Sequence, residues 1–331
     1  MTSVLPPVWF ERVIAPALVP EVAAAVTILG PSTPDDPYAG LGTAHAALAS
    51  SMRYDAALMD RAPGLRLIAR TGIGYDLVDV AEATRRGIAV CNTPDAPTIS
   101  TAEHAVTLIL MVAKNVKVGE RRLREGSGGY YARHTAVELD GKALGLVGFG
   151  RIARRVAAIC QGLGMRVTIY DPFLPDTGVP PTVARAASLE ALLRVADVVS
   201  VHVPLGDDSR GMFGADQFRQ MKPGAVFVNT ARGGLVDGDA LLEALETGHL
   251  FGAGLDVTDP EPLPTDHPLL HRDDAAVTPH IASATAESKV RIFRSAFEQV
   301  VAGLAGRRPA HLVNPEVWGS TTSPDPQGGL P

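Results

Sequence analysis

The chain has 331 residues, of which 46% are hydrophobic, and it carries a formal net charge of −6. That length suggests two domains, and the acidic balance argues against a nucleic-acid or anionic-membrane binder. Two cysteines, Cys91 and Cys160, lie in apolar contexts without Cys-x-x-Cys spacing, so neither a disulfide framework nor a metal site is expected. Glu11 and Arg12 interrupt the N-terminal apolar stretches and the basic start of a signal peptide is missing. No apolar run reaches the roughly 18 residues that span a bilayer, and a cytoplasmic protein is expected.

Residues 1–60 are rich in Pro and Ala and set few clear boundaries. From 64 to 93 the pattern is strand, turn, helix, strand: Leu65–Ala69, then Gly72-Ile73-Gly74, then Val78–Arg86, then Ile88–Cys91. Pro94 and Pro97 break the chain. A long helix is expected from Ser100 or Thr101 to about Arg124, with Glu103 as a capping-box carboxylate. Strands are expected at 143–148, 166–170, 198–202, 225–229, 251–255 and 275–278, with helices between them such as Leu189–Val195 and Asp239–Thr247. This alternation implies a doubly wound parallel sheet. A last helix covers about Ala286 to Gly303, and the tail Gly319–Pro331 reads as disordered.

The stretch Gly148-Phe149-Gly150-Arg151-Ile152-Ala153 follows an apolar run and opens a helix, and Asp171 stands 21 positions after Gly150 at the end of the next strand. This is the physical recipe for a dinucleotide. Gly148 permits the tight turn, Gly150 lets the backbone approach the pyrophosphate, and the helix N-terminus favours phosphate. Asp171 suits a free ribose diol and would repel a 2′-phosphate, which favours NAD over NADP. Because the motif starts only after residue 140, the simplest arrangement inserts the cofactor domain between two hinges, near 103 and 285. The expected fold is α/β, with two doubly wound parallel-sheet domains. A Rossmann-type NAD-binding domain (104–285) is inserted into a discontinuous, flavodoxin-like substrate domain (1–103 and 286–318), followed by the tail 319–331.

Ligands of such sheets sit beyond the carboxyl ends of the strands, and three charged residues fall there: Arg232, Glu261 and His280. An arginine fork pairs bidentately with a substrate carboxylate. Histidine exchanges the hydroxyl proton near working pH. A carboxylate against its other nitrogen fixes the tautomer. Together they suit hydride transfer to a 2-oxo acid. His104 reads as packing or capping, His202 as shaping its loop, and His267 as solvent-facing.

Four segments carry a family resemblance: Arg70 to Asp79, the Gly148 loop, Asn229 to Asp237, and Asp256 to Pro262 with Pro279-His280-Ile281-Ala282. On these the chain, from about 48 to 316, resembles the D-isomer-specific 2-hydroxyacid dehydrogenases, which include phosphoglycerate dehydrogenases and glyoxylate/hydroxypyruvate reductases. The resemblance implies that Arg232, Glu261 and His280 are catalytic. It implies an NAD site at Gly148, Gly150, Arg151, Ile152, Asp171, Val203, Thr230, Ala231 and Asp256. It also implies that the backbone of Ile73 and Gly74 holds the substrate carboxylate together with Arg232, and that a homodimer forms through the helix near 101–125. Ala49 stands where phosphoglycerate dehydrogenases tend to carry a phosphate-binding arginine, with Arg53 nearby, which disfavours a phosphorylated substrate without excluding it. The same residues would also serve an NAD(H)-sensing, corepressor-like scaffold or a phosphite dehydrogenase.

Overall fold

The computed structural model describes residues 5–319; the expected disordered tail, Gly319 apart, lies outside them. The chain divides into two compact units, one built from Met1–Pro97 with Thr285–Pro331 and the other from Thr98–Ala284.

The first unit holds five parallel strands: β1 (Pro7–Phe10), β2 (Thr27–Leu29), β3 (Ala46–Ala49), β4 (Leu67–Arg70) and β5 (Ala89–Cys91). Their order is β2-β1-β3-β4-β5, the flavodoxin-like arrangement. Alternate residues enter opposite faces. Val8 and Phe10 pack with Val22 and, from the far end of the chain, Ala296, Phe297 and Val300. Trp9 packs on the other face with Leu58 and Met59. The C-terminal helix Ala286–Leu304 is started by Thr285, whose hydroxyl accepts from the Ser288 amide.

The second unit holds β6 (Ala143–Val147), β7 (Arg166–Tyr170), β8 (Ala184–Arg185), β9 (Val198–Val201), β10 (Ala225–Asn229), β11 (Leu250–Leu255) and β12 (Ala275–Val277). They form one parallel sheet in the order β12-β11-β10-β9-β6-β7-β8. Leu144, Leu146, Val198 and Val228 share one core with the helices Thr98–Ala113 and Arg151–Gly162. Val147, Val199, Val201 and Phe227 face another, in which Phe227 packs against Phe213 and Phe218 with ring centroids 5.0 and 5.2 Å apart. Burial on both faces explains the near-continuous apolar runs of these strands. Both units are therefore doubly wound α/β, as the sequence implied.

The long helix expected to reach Arg124 is instead two helices, Thr98–Ala113 and Val116–Arg124. Asn115 between them has φ +52°, a left-handed conformation that asparagine tolerates better than most residues. The first helix begins at Thr98, earlier than expected, so Ser100 rather than Glu103 occupies its third position. Glu103 is exposed in the second turn, too far along to cap. The expected helix Val78–Arg86 is trimmed to Val80–Arg85, because Asp79 caps it through the Glu82 amide at 2.9 Å. Among the described residues no helix is long and apolar enough to cross a membrane.

Candidate active site

The seven-stranded sheet reverses its strand order between β6 and β9, the point at which open α/β sheets bind ligands. Gly148 ends β6 with φ +84°. A Cβ there would lie 2.7 Å from the His202 carbonyl oxygen and 2.8 Å from Val203 Cγ1, so only glycine lets the two strand ends meet. Gly150 is the N-cap of the helix Arg151–Gly162, which no side chain caps, and the space beside it is open. The next residues are the exposed Arg151 and the half-buried Ile152. Ala153 is wholly buried where that helix meets the sheet. A helix N-terminus left in this state suits a phosphate.

Asp171, at the end of β7, accepts from the Phe149 amide through Oδ2 at 2.9 Å and from the Phe173 amide through Oδ1 at 3.0 Å. It braces the glycine loop, and each oxygen keeps a lone pair for a ribose hydroxyl. At the end of β10, the buried Thr230 hydroxyl has no hydrogen-bond partner, and Ala231 is half-buried. An uncapped helix start, a braced carboxylate and an orphaned hydroxyl along one edge of the sheet fit a dinucleotide.

The end of β10 also shapes the arginine. Asn229, fully buried, accepts from the Ala231 amide at 2.9 Å and donates through Nδ2 to the Arg232 carbonyl at 2.7 Å. The Arg232 guanidinium donates back to the Ala231 carbonyl at 2.6 Å. A Cβ on Gly233 would fall 2.0 Å from the Thr258 carbonyl carbon and oxygen. The Arg232 turn and the loop leading to Glu261 are thus in backbone contact, and Gly233 is the residue that permits it.

Glu261 Oε1 lies 2.6 Å from His280 Nδ1, and both side chains remain partly open to solvent. His280 has φ +52°, uncommon for a residue with a side chain and typical of functional positions. Its amide donates to the Asp256 carbonyl at 2.7 Å. Asp256 itself is 1% exposed. Its Oδ1 accepts from the Thr278 hydroxyl at 2.6 Å and the Ile281 amide at 2.8 Å, and its Oδ2 accepts from the Ala282 amide at 2.8 Å. Asp256 therefore holds the His280 loop from both sides.

Burial opposes ionisation of Glu261, but hydrogen bonding and charge from His280, the Thr258 amide and Arg232 outweigh it, leaving its carboxyl below the ordinary range. Asp256 follows the same pattern, with burial overcome by His104, Thr278 and the amides of Ile281 and Ala282. Both are carboxylates at neutral pH.

A family model described as "D-isomer specific 2-hydroxyacid dehydrogenase, NAD binding domain" matches residues 106–282. A glyoxylate reductase of Korarchaeum cryptofilum is 42% identical over 267 residues, 80% of each chain. A D-3-phosphoglycerate dehydrogenase of Archaeoglobus fulgidus is 38% identical over 80% of this chain but only 50% of its own length. Among solved structures, the TT0316 protein of Thermus thermophilus is 39% identical, with a TM-score of 0.85 over 93% of this chain and 99% of that one. The D-lactate dehydrogenase of Aquifex aeolicus, solved with NAD and lactic acid, is 29% identical, with a TM-score of 0.78 over 89% and 94%. The chain belongs to the D-isomer-specific 2-hydroxyacid dehydrogenase family. It is an NAD-dependent oxidoreductase.

The structure brings Arg232, Glu261, His280 and Asp256 together at the carboxyl ends of β10, β11 and β12 in the second unit of this dehydrogenase. Ile73 and Gly74 belong to the first unit, in the loop after β4. The carbonyls of Gly72, Ile73 and Gly74 are bonded by the Thr93 amide at 3.0 Å, Asn92 Nδ2 at 2.7 Å and Arg70 Nε at 3.0 Å. Arg70 also donates to the Ser50 carbonyl in the loop after β3. Glu11, 3% exposed, ends the network: its carboxylate accepts from the amides of Ser50, Ser51 and Met52 and from the hydroxyls of Ser51 and Tyr54.

Several of these roles escape a reading of the sequence. Glu11 reads there as an interruption of an apolar stretch, although an acid directly after Val8-Trp9-Phe10 marks a strand end. Asn229 is the same signal at β10. His104, read as packing or capping, instead lies 2.9 Å from the Thr278 hydroxyl. His267, read as solvent-facing, is half-buried and caps the helix Pro268–His271 through the Leu269 amide. His202 pairs with Ser200 Oγ at 2.9 Å at the end of β9.

Proposed function

We propose that this enzyme reduces a small, unphosphorylated 2-oxo acid to the D-2-hydroxy acid, with His280 as general acid, Glu261 as its orienting carboxylate and Arg232 as the carboxylate clamp. The observation that carries this reading is the 2.6 Å Glu261–His280 pair, on a loop in backbone contact with the Arg232 turn.

Glu261 accepts the proton on His280 Nδ1, which leaves Nε2 to give a proton to the substrate carbonyl oxygen as it gains charge. In oxidation the same nitrogen takes the hydroxyl proton. Arg232 pairs with the substrate carboxylate and polarises the adjacent carbonyl. NADH, when bound, supplies the hydride. Gly148, Gly150, Arg151 and Ile152 would hold its pyrophosphate, and Asp171 its ribose diol. Val203, Thr230, Ala231 and Asp256 would line the remainder. Ile73 and Gly74 are assigned to the substrate carboxylate on the chemistry of their own loop, whose carbonyls are turned into the protein. Exposed Val116 and Leu123 on the helix Val116–Arg124, with Tyr131 beyond it, support a homodimer through this region, which light scattering tests.

The substrate class is supported by the glyoxylate reductases among the relatives, and Ala49, fully buried at the end of β3, offers no charge to a phosphate. NADH consumption is to be followed with glyoxylate, hydroxypyruvate, phosphohydroxypyruvate, pyruvate and phenylpyruvate. Turnover with one of the first two, and little with the phosphorylated acid, is expected. His280→Asn should lower kcat by about 10²–10⁴-fold with NADH affinity unchanged. Near wild-type turnover in that variant would sink the acid–base assignment. NADH binding without turnover of any of these acids would sink the substrate class and turn the search to phosphite.

A further inference from the structure

We propose that His104 is a positioning residue for the reaction: through the Thr278 hydroxyl it locks the Asp256 carboxylate that holds the His280 loop in its left-handed conformation. The inference rests on the acid–base role proposed for His280. His104 lies on the helix Thr98–Ala113, and its side chain is 18% exposed, so it is a partly sealed imidazole rather than a surface one.

The polarity of the chain of hydrogen bonds follows from what each group can donate. Asp256 is ionised and can only accept. The Thr278 hydroxyl has one proton, and Asp256 Oδ1 at 2.6 Å is a far better acceptor for it than the Leu255 carbonyl at 3.4 Å. Thr278 Oγ1 can then only accept from His104 Nε2, 2.9 Å away. His104 must therefore carry its proton on Nε2, which also lies 3.4 Å from Asp256 Oδ1. Proton direction runs one way, from His104 to Thr278 to Asp256. The carboxylate that receives it spends its remaining capacity on the amides of Ile281 and Ala282, and the Asp256 carbonyl takes the amide of His280.

The arrangement has a reason. A left-handed histidine costs backbone energy and persists only where its surroundings over-determine it. Here the residues on both sides of His280 are tied to one buried side chain, and His104 is the outermost tie. The imidazole of His104 is directed at Thr278 and Asp256 rather than at the Glu261–His280 pair. Its loss should therefore act through geometry, and misplacement of a reacting group by about 1 Å can cost roughly 10²-fold.

The test uses the whole enzyme and four variants. His104→Leu removes the donor and keeps the bulk, and Thr278→Val removes the link while keeping the shape. His104→Gln places an amide nitrogen near the Nε2 position. His280→Asn is the control for the catalytic reading. The expected result is a fall in kcat of about 10-fold to 100-fold in His104→Leu and in Thr278→Val. The double variant should be no worse than either single one, and His104→Gln should recover most of the rate. Wild-type kcat in His104→Leu alongside an inactive His280→Asn overturns the inference alone. Equal losses of rate and melting temperature in the Leu and Gln variants also overturn it, because that pattern is packing. Retained turnover in His280→Asn overturns the catalytic reading, and the inference with it.

Discussion

Each sheet reverses its strand order once, between β1 and β3 in the first unit and between β6 and β9 in the second, and the two reversals are furnished in opposite ways. After β3 the amides of Ser50, Ser51 and Met52 converge on an anion that the chain itself provides, the carboxylate of Glu11 at the end of β1. After β6 the chain provides glycines instead, and the helix that follows has no side-chain cap. The same topology thus yields one crevice with its anion built in and another prepared for the phosphates of a cofactor. The fold sets where a ligand can go; single side chains decide whether it is needed.

Removing the built-in anion should have the largest effect on stability. Glu11→Ala leaves three amides and two hydroxyls around a buried gap. Leaving a buried donor without its acceptor costs about 1–3 kcal/mol, and several donors are left here. A large drop in the denaturation midpoint is expected, with saturating NADH unable to abolish the difference from wild type. A midpoint unchanged by Glu11→Ala would show that the first crevice does not depend on its carboxylate. The second crevice should respond to ligand instead. NADH at about 100 times its Kd should add about 2.7 kcal/mol to the stability of the unit that binds it. Calorimetry with and without NADH checks this, and no shift at saturation would contradict the contrast.

The two units also differ in how legible they are. In the second, every strand expected between 143 and 280 is present, because strands buried on both faces write long apolar runs, Ala143–Val147 and Ala225–Asn229 among them. In the first, β3 is Ala-Ala-Leu-Ala and β2 is three residues long. Such strands offer no period that distinguishes them from helix or loop, and sheet pairing alone defines them. Arg232, Glu261 and His280 are legible because charged residues after apolar runs stand out. Glu11 and His104 are not, since their roles depend on partners 39 and 174 positions away whose proximity only the fold creates. The break at Asn115 has a local signal, but the apolar pattern continues through it.

A smaller effect is expected where glycine allows two loops of the second unit to touch. Gly233→Ala would put a methyl group 2.0 Å from the Thr258 carbonyl, and backbone cannot move aside cheaply. Overpacking of this kind costs about 1–3 kcal/mol. The separation it forces falls between Arg232 and Glu261, so kcat should fall by more than NADH affinity. Wild-type kinetics in this variant would mean that the contact between the two loops is dispensable.

The smallest predicted effect contrasts the acid sensitivity of the two units. Burial lowers the His202 imidazole from its ordinary 6.5 to about 4. Below about 6.5 the unfolded chain binds a proton there that the folded chain refuses, so the stabilisation is complete above that pH and declines as pH falls toward about 4. Glu261 and Asp256, with lowered carboxyl values, also lose their contributions on acidification, but only through the lower carboxylate range. His45 in the first unit is shifted the same way as His202, by burial and by Arg66. The ring of His202 is bonded to buried Ser200, but the residue as a whole is only half-buried. Its share at about pH 5 is therefore set at roughly 1 kcal/mol, below the roughly 2 kcal/mol of a sealed ring. His202→Gln, which keeps a polar group near Nε2, should flatten the fall in melting temperature between about pH 7 and pH 5, and His45→Gln should do so less. If the His202→Gln enzyme keeps the full wild-type slope, the acid sensitivity of the second unit does not begin at its strand reversal.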